Sequence, residues 1–223
     1  MFTMKKIVLS LALISCFSIF SCKKEKIDID GNQDPMEISN STGDKFAVNT
    51  TESVVNWTGF KLTGKHNGTI HLKEGFINIK DSVITGGQFF IDMNTITVTD
   101  LKAGDGKEDL ENHLKGTGEN EKKDHFFNVK KYPTSDFKIS KIEKDGDKNI
   151  IYGNLSIKGV TKAVNFPATI KISGDEISIN SEPLRLNRTF WNINYASKSI
   201  FADIGDKFIS DEIEVQVYVK AKK

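Results

Sequence analysis

The chain has 223 residues, 31 basic and 30 acidic side chains, a formal net charge of +1 and two cysteines. That length suits one domain, or one domain with appendages, and the balanced charge argues against a nucleic-acid binder, whose hold on phosphates rests on surplus Lys and Arg. Both cysteines, Cys16 and Cys22, fall in the first tenth of the chain, so the remainder has no disulfide, thiol nucleophile or cysteine-ligated metal.

Residues 1–22 read as an export signal. Lys5 and Lys6 precede an apolar run from Ile7 to Phe20, too short at about 14 residues for a permanent span, which needs roughly 20. Ser21 before Cys22, followed by Lys23-Lys24-Glu25-Lys26, resembles a bacterial lipoprotein signal, in which the peptidase cuts before a cysteine that carries lipid. Leu13-Ile14-Ser15-Cys16 fits the usual box better, but cleavage there would leave apolar Phe17 to Phe20 at the new terminus, so Cys22 is favoured. An ordinary secretory signal is the alternative. Losing residues 1–22 removes two lysines and no acid, which leaves a charge of −1. Adhesion would then rest on lipid, not on a basic patch. The expected location is the bacterial cell envelope, at the outer membrane, on its periplasmic or surface side.

Residues 23–44 are polar and contain Gly31, Pro35 and Gly43 without a sustained period, which predicts a flexible tether. The domain proper is expected over 45–223. After Cys22 there are 23 Ile, 11 Val and 15 Thr against 8 Leu and 7 Ala, a balance that favours strands over helices. Period-two alternation marks Phe89/Ile91/Met93, Ile151/Gly153/Leu155/Ile157, Phe166/Ala168/Ile170/Ile172 and Ile213/Val215/Val217/Val219. Turn signals between such runs include Asn67-Gly68, Gly86-Gly87, Asp145-Gly146 and Gly174-Asp175. The pattern predicts an all-β fold of about eight antiparallel strands, which can close into a barrel that is either filled or hollow.

Between Val98 and Pro133 the rhythm breaks. The segment is rich in charge and glycine and holds one short helix, Glu108 to Lys115, with Leu110 and Leu114 on a single stripe. Connections this long are usually functional or disordered. Phe126 and Phe127 within it are expected to pack across one barrel end as a plug or lid.

The stretch Asp124-His125-Phe126-Phe127-Asn128-Val129, then Tyr132-Pro133-Thr134-Ser135-Asp136-Phe137-Lys138, then Gly153-Asn154-Leu155-Ser156-Ile157-Lys158-Gly159-Val160-Thr161-Lys162 resembles the YceI-like family of bacterial envelope proteins. Leu186 to Ile193 and Ile209 to Ile213 look like that family's last two strands. The likeness runs from about Phe46 to Lys220. It departs at Gly116–Lys123, which looks inserted, and at Phe190-Trp191, where many relatives carry a smaller residue. It implies an eight-stranded lipocalin-like barrel, with one helix in a long connection, that holds an isoprenoid-like or other long lipophilic molecule.

Candidate chemistry is sparse. His66, His71, His113 and His125 show no ligand spacing and are expected as surface or loop residues, with no metal and no cofactor. No nucleophile elbow, zinc-protease motif, P-loop or dinucleotide fingerprint occurs, so no enzymatic activity is expected. The only two arginines, Arg185 and Arg188, stand beside Phe190-Trp191. Each is a candidate for a lipid head group or for a rim salt bridge. The aromatic residues Trp57, Phe60, Phe76, Phe89, Phe126, Phe127, Phe137 and Trp191 serve equally as core or as pocket lining. The resemblance favours lining or lid. Two functions follow: an envelope protein, anchored to the membrane by lipid, that binds or carries a lipophile, and a surface module with a filled barrel that acts through protein contacts.

Overall fold

The computed structural model of the chain describes residues 33–38, 40–119 and 124–223. The signal segment, both cysteines and the first part of the expected tether lie outside the described residues.

Among the described residues the β-branched runs form eleven antiparallel strands: β1 (Asp44–Val48), β2 (Val54–Lys61), β3 (Gly64–Lys80), β4 (Val83–Asp92), β5 (Thr97–Val98), β6 (Thr134–Asp145), β7 (Lys148–Ile157), β8 (Val160–Ser173), β9 (Glu176–Ser181), β10 (Leu184–Asn187) and β11 (Ile209–Lys222). They pair in the order β11-β2-β3-β4-β6-β7-β8-β9, and β9 returns to β11 through Tyr218↔Asn180 to Lys222↔Glu176. The ring therefore closes in the expected eight-position order; β8 meets β9 only over Ala168–Ser173, and beside Ala163 it is Gln33 that bridges its edge. Three of the positions are shared by two segments each. β1 and β2 both flank β3, β4 and β5 lie along its other side, and β9 and β10 succeed one another along β11.

Alternation sets what each strand buries. Ile151, Val164, Phe166, Ala168, Ile177, Ile179 and Val219 are buried inside the ring. The β7–β8 hairpin turns on Lys158 and Gly159, both at positive φ (51° and 77°), the pair of conformations a type I′ turn needs. Farther along β7, Gly153 has a different reason. A Cβ there would sit 2.4 Å from the Phe137 ring and 2.4 Å from the Lys138 carbonyl oxygen. Gly153→Ala is thus expected to destabilise the fold by about 1–3 kcal/mol, lowering Tm by several degrees. Gly59→Ala, which would meet nothing within 4 Å, should leave Tm within about a degree. A pair of melting curves checks both.

One end of the barrel is covered. A 3₁₀ turn (Met93–Thr95), the helix α1 (Lys107–Lys115), residues 124–132 and a second 3₁₀ turn (Arg188–Trp191) all gather there. We call it the lid end. It holds the end of β2, the β7–β8 turn and the start of β11, while the β3–β4 and β8–β9 turns mark the far end. α1 starts one residue before expectation, with Glu108 and Asp109 in its first turn, and Gly116 in the left-handed conformation ends it.

The tether expectation needs correction over its second half. From Gln33 on, the chain lies against the outer wall. The Ala163 N–H donates to the Gln33 carbonyl (3.0 Å), and the Asn154 amide both accepts from Met36 N (2.7 Å) and donates to Met36 O (2.8 Å). Farther on, Asn78 Nδ2 donates to Ser41 Oγ (2.5 Å). Composition could not show this, because the partners are outward-facing residues 37 to 130 positions away.

Candidate functional site

The barrel is hollow in its lid half. A cavity of about 320 Å3 is walled by strand side chains and closed by Leu110 and Leu114 of α1 together with Phe126 and Phe127. A second chamber of about 90 Å3 lies deeper, among Phe89, Phe137, Ile151, Phe166 and Val219. Val55, Ile91, Leu155, Leu186 and Val215 border both, so the chambers adjoin as two compartments of one apolar interior, here termed the passage. From Ile209 in the outer chamber to Val219 in the inner the strand covers roughly 33 Å. A tilt near 40° makes that roughly 25 Å along the axis.

Of the aromatic candidates, Trp57, Phe60, Phe126 and Phe127 line the outer chamber, and Phe89 and Phe137 the inner. Phe89 and Phe137 stack at 6.4 Å, and Phe137 meets Phe166 at 5.5 Å. Two candidates lie elsewhere. Phe76 has the wrong parity on β3, between inward Gly75 and Ile77, and sits outside under Lys45 Nζ at 4.4 Å. Trp191 is fully buried beside the passage, where its Nε1 donates to Leu155 O (3.1 Å). It is wall structure.

Both arginines have protein partners. Arg185 is exposed on β10 and pairs with Glu212 (3.1 Å) and Glu214 (3.9 Å) across the β10–β11 ladder. Arg188 borders the outer chamber but is 2% exposed, and its guanidinium is spent on the protein. It donates to the carbonyls of Ser210 (2.9 Å), Ile209 (3.0 Å) and Ile193, and reaches Asp211 Oδ1 at 3.5 Å. Burial lowers its pKa, and Asp211 opposes that shift.

Reading the sequence for aromatics missed the aliphatic share of the wall, although the alternation of Ile213, Val215, Val217 and Val219 already put these on one face. It also missed a meeting of histidines. His113 Nε2 lies 3.1 Å from His125 Nδ1, and both rings pack on Tyr195. These two are part of the lid rather than isolated surface residues, and nothing in their spacing connects α1 to residue 195. His66 pairs with Asp100 at 2.9 Å, while burial and the Asn67 and His66 hydrogen bonds pull Asp100 in opposite directions, the bonds prevailing to lower its pKa. Among the described residues no group of three or more His, Cys, Asp or Glu could hold a metal ion.

The lid is pinned by a buried lysine. Lys158, reaching up from the β7–β8 turn, donates to the carbonyls of Asp124 (3.0 Å) and Asn192 (3.4 Å) and lies 3.3 Å from Asp124 Oδ2. Asp124, Phe126 and Asn128 all have positive φ, a conformation held by surrounding contacts. The Asn128 amide (2.6 Å) lowers the Asp124 pKa; burial opposes it and Lys158 adds to it. A carboxylate lowered on folding lends stability above its unfolded pKa and loses it as pH falls through the folded value. Amide exchange in 124–129 should therefore speed up as pH falls below the ordinary aspartate range, after correction for intrinsic rates. Asp124→Asn should show the faster exchange already at neutral pH.

A closed antiparallel barrel around an apolar passage, capped at one end, is the architecture of the lipocalin-like proteins. Two solved structures share the fold. BcnA of Burkholderia cenocepacia superposes with a TM-score of 0.60 at 20% identity, covering 78% of this chain and 99% of that one. A polyisoprenoid binding domain from Saccharophagus degradans gives 0.55 at 14% identity, over 79% and 97%. Residues 46–221 match the YceI-like domain, and the chain belongs to that family. Curated relatives include a UPF0312 protein of Pectobacterium atrosepticum, 43% identical over 51 residues, and protein YceI of Salmonella arizonae, 41% identical over 51. The matched stretch is 23% of this chain and 27% of either relative.

Proposed function

We propose that this protein is a cell-envelope lipoprotein, acylated at Cys22, that binds or carries a long lipophilic molecule, isoprenoid-like or fatty, in the barrel. The observation that carries the reading is the two-chamber apolar passage. Its walls are almost wholly apolar: Arg188 is occupied by backbone carbonyls, and the other ionisable side chains among them, Lys61 and His66, belong to β2 and β3 at the lid end. Enclosing a chain there would contribute roughly 25 cal/mol per Å2 of apolar surface removed from water. The similar Saccharophagus domain, a polyisoprenoid binding domain, supports the same class of ligand. The hollow lid half speaks against a filled barrel acting through protein contacts alone, and no constellation of polar groups in the passage suggests catalysis.

Displacement of an environment-sensitive fluorescent fatty probe by long-chain lipids tests the binding. Competition that strengthens with chain length is expected, and no competition by any chain would refute the reading. Fractionation tests the anchor. Cys22→Ser should release the protein from membranes, whereas release by Cys16→Ser instead would move the acylated position.

A further inference from the structure

We propose that the lid end of the barrel docks on the surface of a lipid bilayer, so that ligand passes between membrane and passage without crossing bulk water. This deepens the reading of an anchored lipid binder and rests on it. Two independent features converge on that end.

The first is an exposed apolar rim. Leu62 in the β2–β3 turn is 62% exposed, and Ile200 and Phe201 are each 50% exposed. They come from different parts of the chain but lie at one place. Ile209 pairs with Lys61, next to Leu62, and Ile209 N donates to Ala196 O (2.8 Å), which ties the base of the 197–208 loop to that turn. Phe60, Lys61 and Ile209 also line the outer chamber, so the rim is continuous with the passage. The nearby charges are mixed: Lys61, Lys65, Lys198 and Lys207 with Asp203 and Asp206. That mixture does not favour a polyanion; it suits apolar insertion among lipids.

The second is the path of the N-terminal segment. β1 starts at the far end, where Asp44 pairs with Ile79. Residues before it run back along the outer wall past Asn78 and Asn154 until Gln33 bridges Ala163. Ala163 is three residues from the lid-end start of β8 and ten from its far end, or roughly 10 Å against roughly 33 Å. Ten residues lie between Cys22 and Gln33, and the eleven steps of chain that join them would span about 18 Å if coiled at random. Such a span exceeds the distance from Ala163 to the lid end but falls short of the roughly 25 Å along the tilted axis to the far end. A tether leaving directly from Asp44 would favour the opposite orientation.

The test uses the full chain expressed in a bacterial host that exports and acylates it. A benzophenone amino acid replaces Leu62, Ile200 or Phe201 in turn, and, as controls at the far end, Val83 or Ile172, which are 62% and 40% exposed. Membranes are irradiated and the purified protein is weighed. Phospholipid adducts are expected severalfold more often at the three lid-end positions than at either control. Equal yields, a far-end preference, or no adducts from protein that sediments with membranes would overturn the orientation and leave lipid binding standing. Protein recovered in the soluble fraction would overturn the anchoring reading and this proposal together.

Discussion

Replacing Arg188 with methionine is expected to cost about 3–5 kcal/mol of stability, because it strands the carbonyls of Ile193, Ile209 and Ser210, and Asp211, in a buried site. For a domain of this size that is a fall in Tm of about 10 °C or more. Arg188→Lys should recover only part, since one ammonium cannot reproduce a planar fork that serves several acceptors at once. Arg185→Ala, on an exposed ion pair, should change stability by less than about 1 kcal/mol. Thermal melts separate this account from a head-group role, which predicts unchanged Tm and weakened ligand binding for Arg188→Met.

Val55→Phe has the largest expected effect on binding. Val55 borders both chambers, and the added ring should close the inner one while the outer stays open. If about four methylenes are excluded at about 0.8 kcal/mol each, affinity for long chains drops roughly 200-fold. Short chains confined to the outer chamber should bind as before. The readout is a series of fatty chains of rising length, measured on both proteins. Parallel loss at every length would mean the chambers are not one passage.

How far the sequence anticipated this arrangement differs between strands and connections. The barrel could be read from Ile213 to Val219 and Ile151 to Ile157 because period-two alternation reports which face meets a core. Phe76 shows the limit of reading by residue type, since its own neighbours Gly75 and Ile77 put it on the outer face. Arg188 and Trp191 could not be placed from the sequence. Their partners are carbonyls of residues 193, 209, 210 and 155, and a backbone acceptor leaves no mark in a sequence. The strap from Gln33 escaped for a related reason. Polar composition signals weak apolar burial, but it is silent about an outward asparagine that supplies both a donor and an acceptor.

The most direct test of the central claim is organic extraction and mass spectrometry of the purified, membrane-derived protein. The account predicts about one long-chain lipophile per barrel, lost when the passage is blocked at Val55. A barrel that yields no stoichiometric lipophile, even after incubation with long-chain candidates, would contradict it.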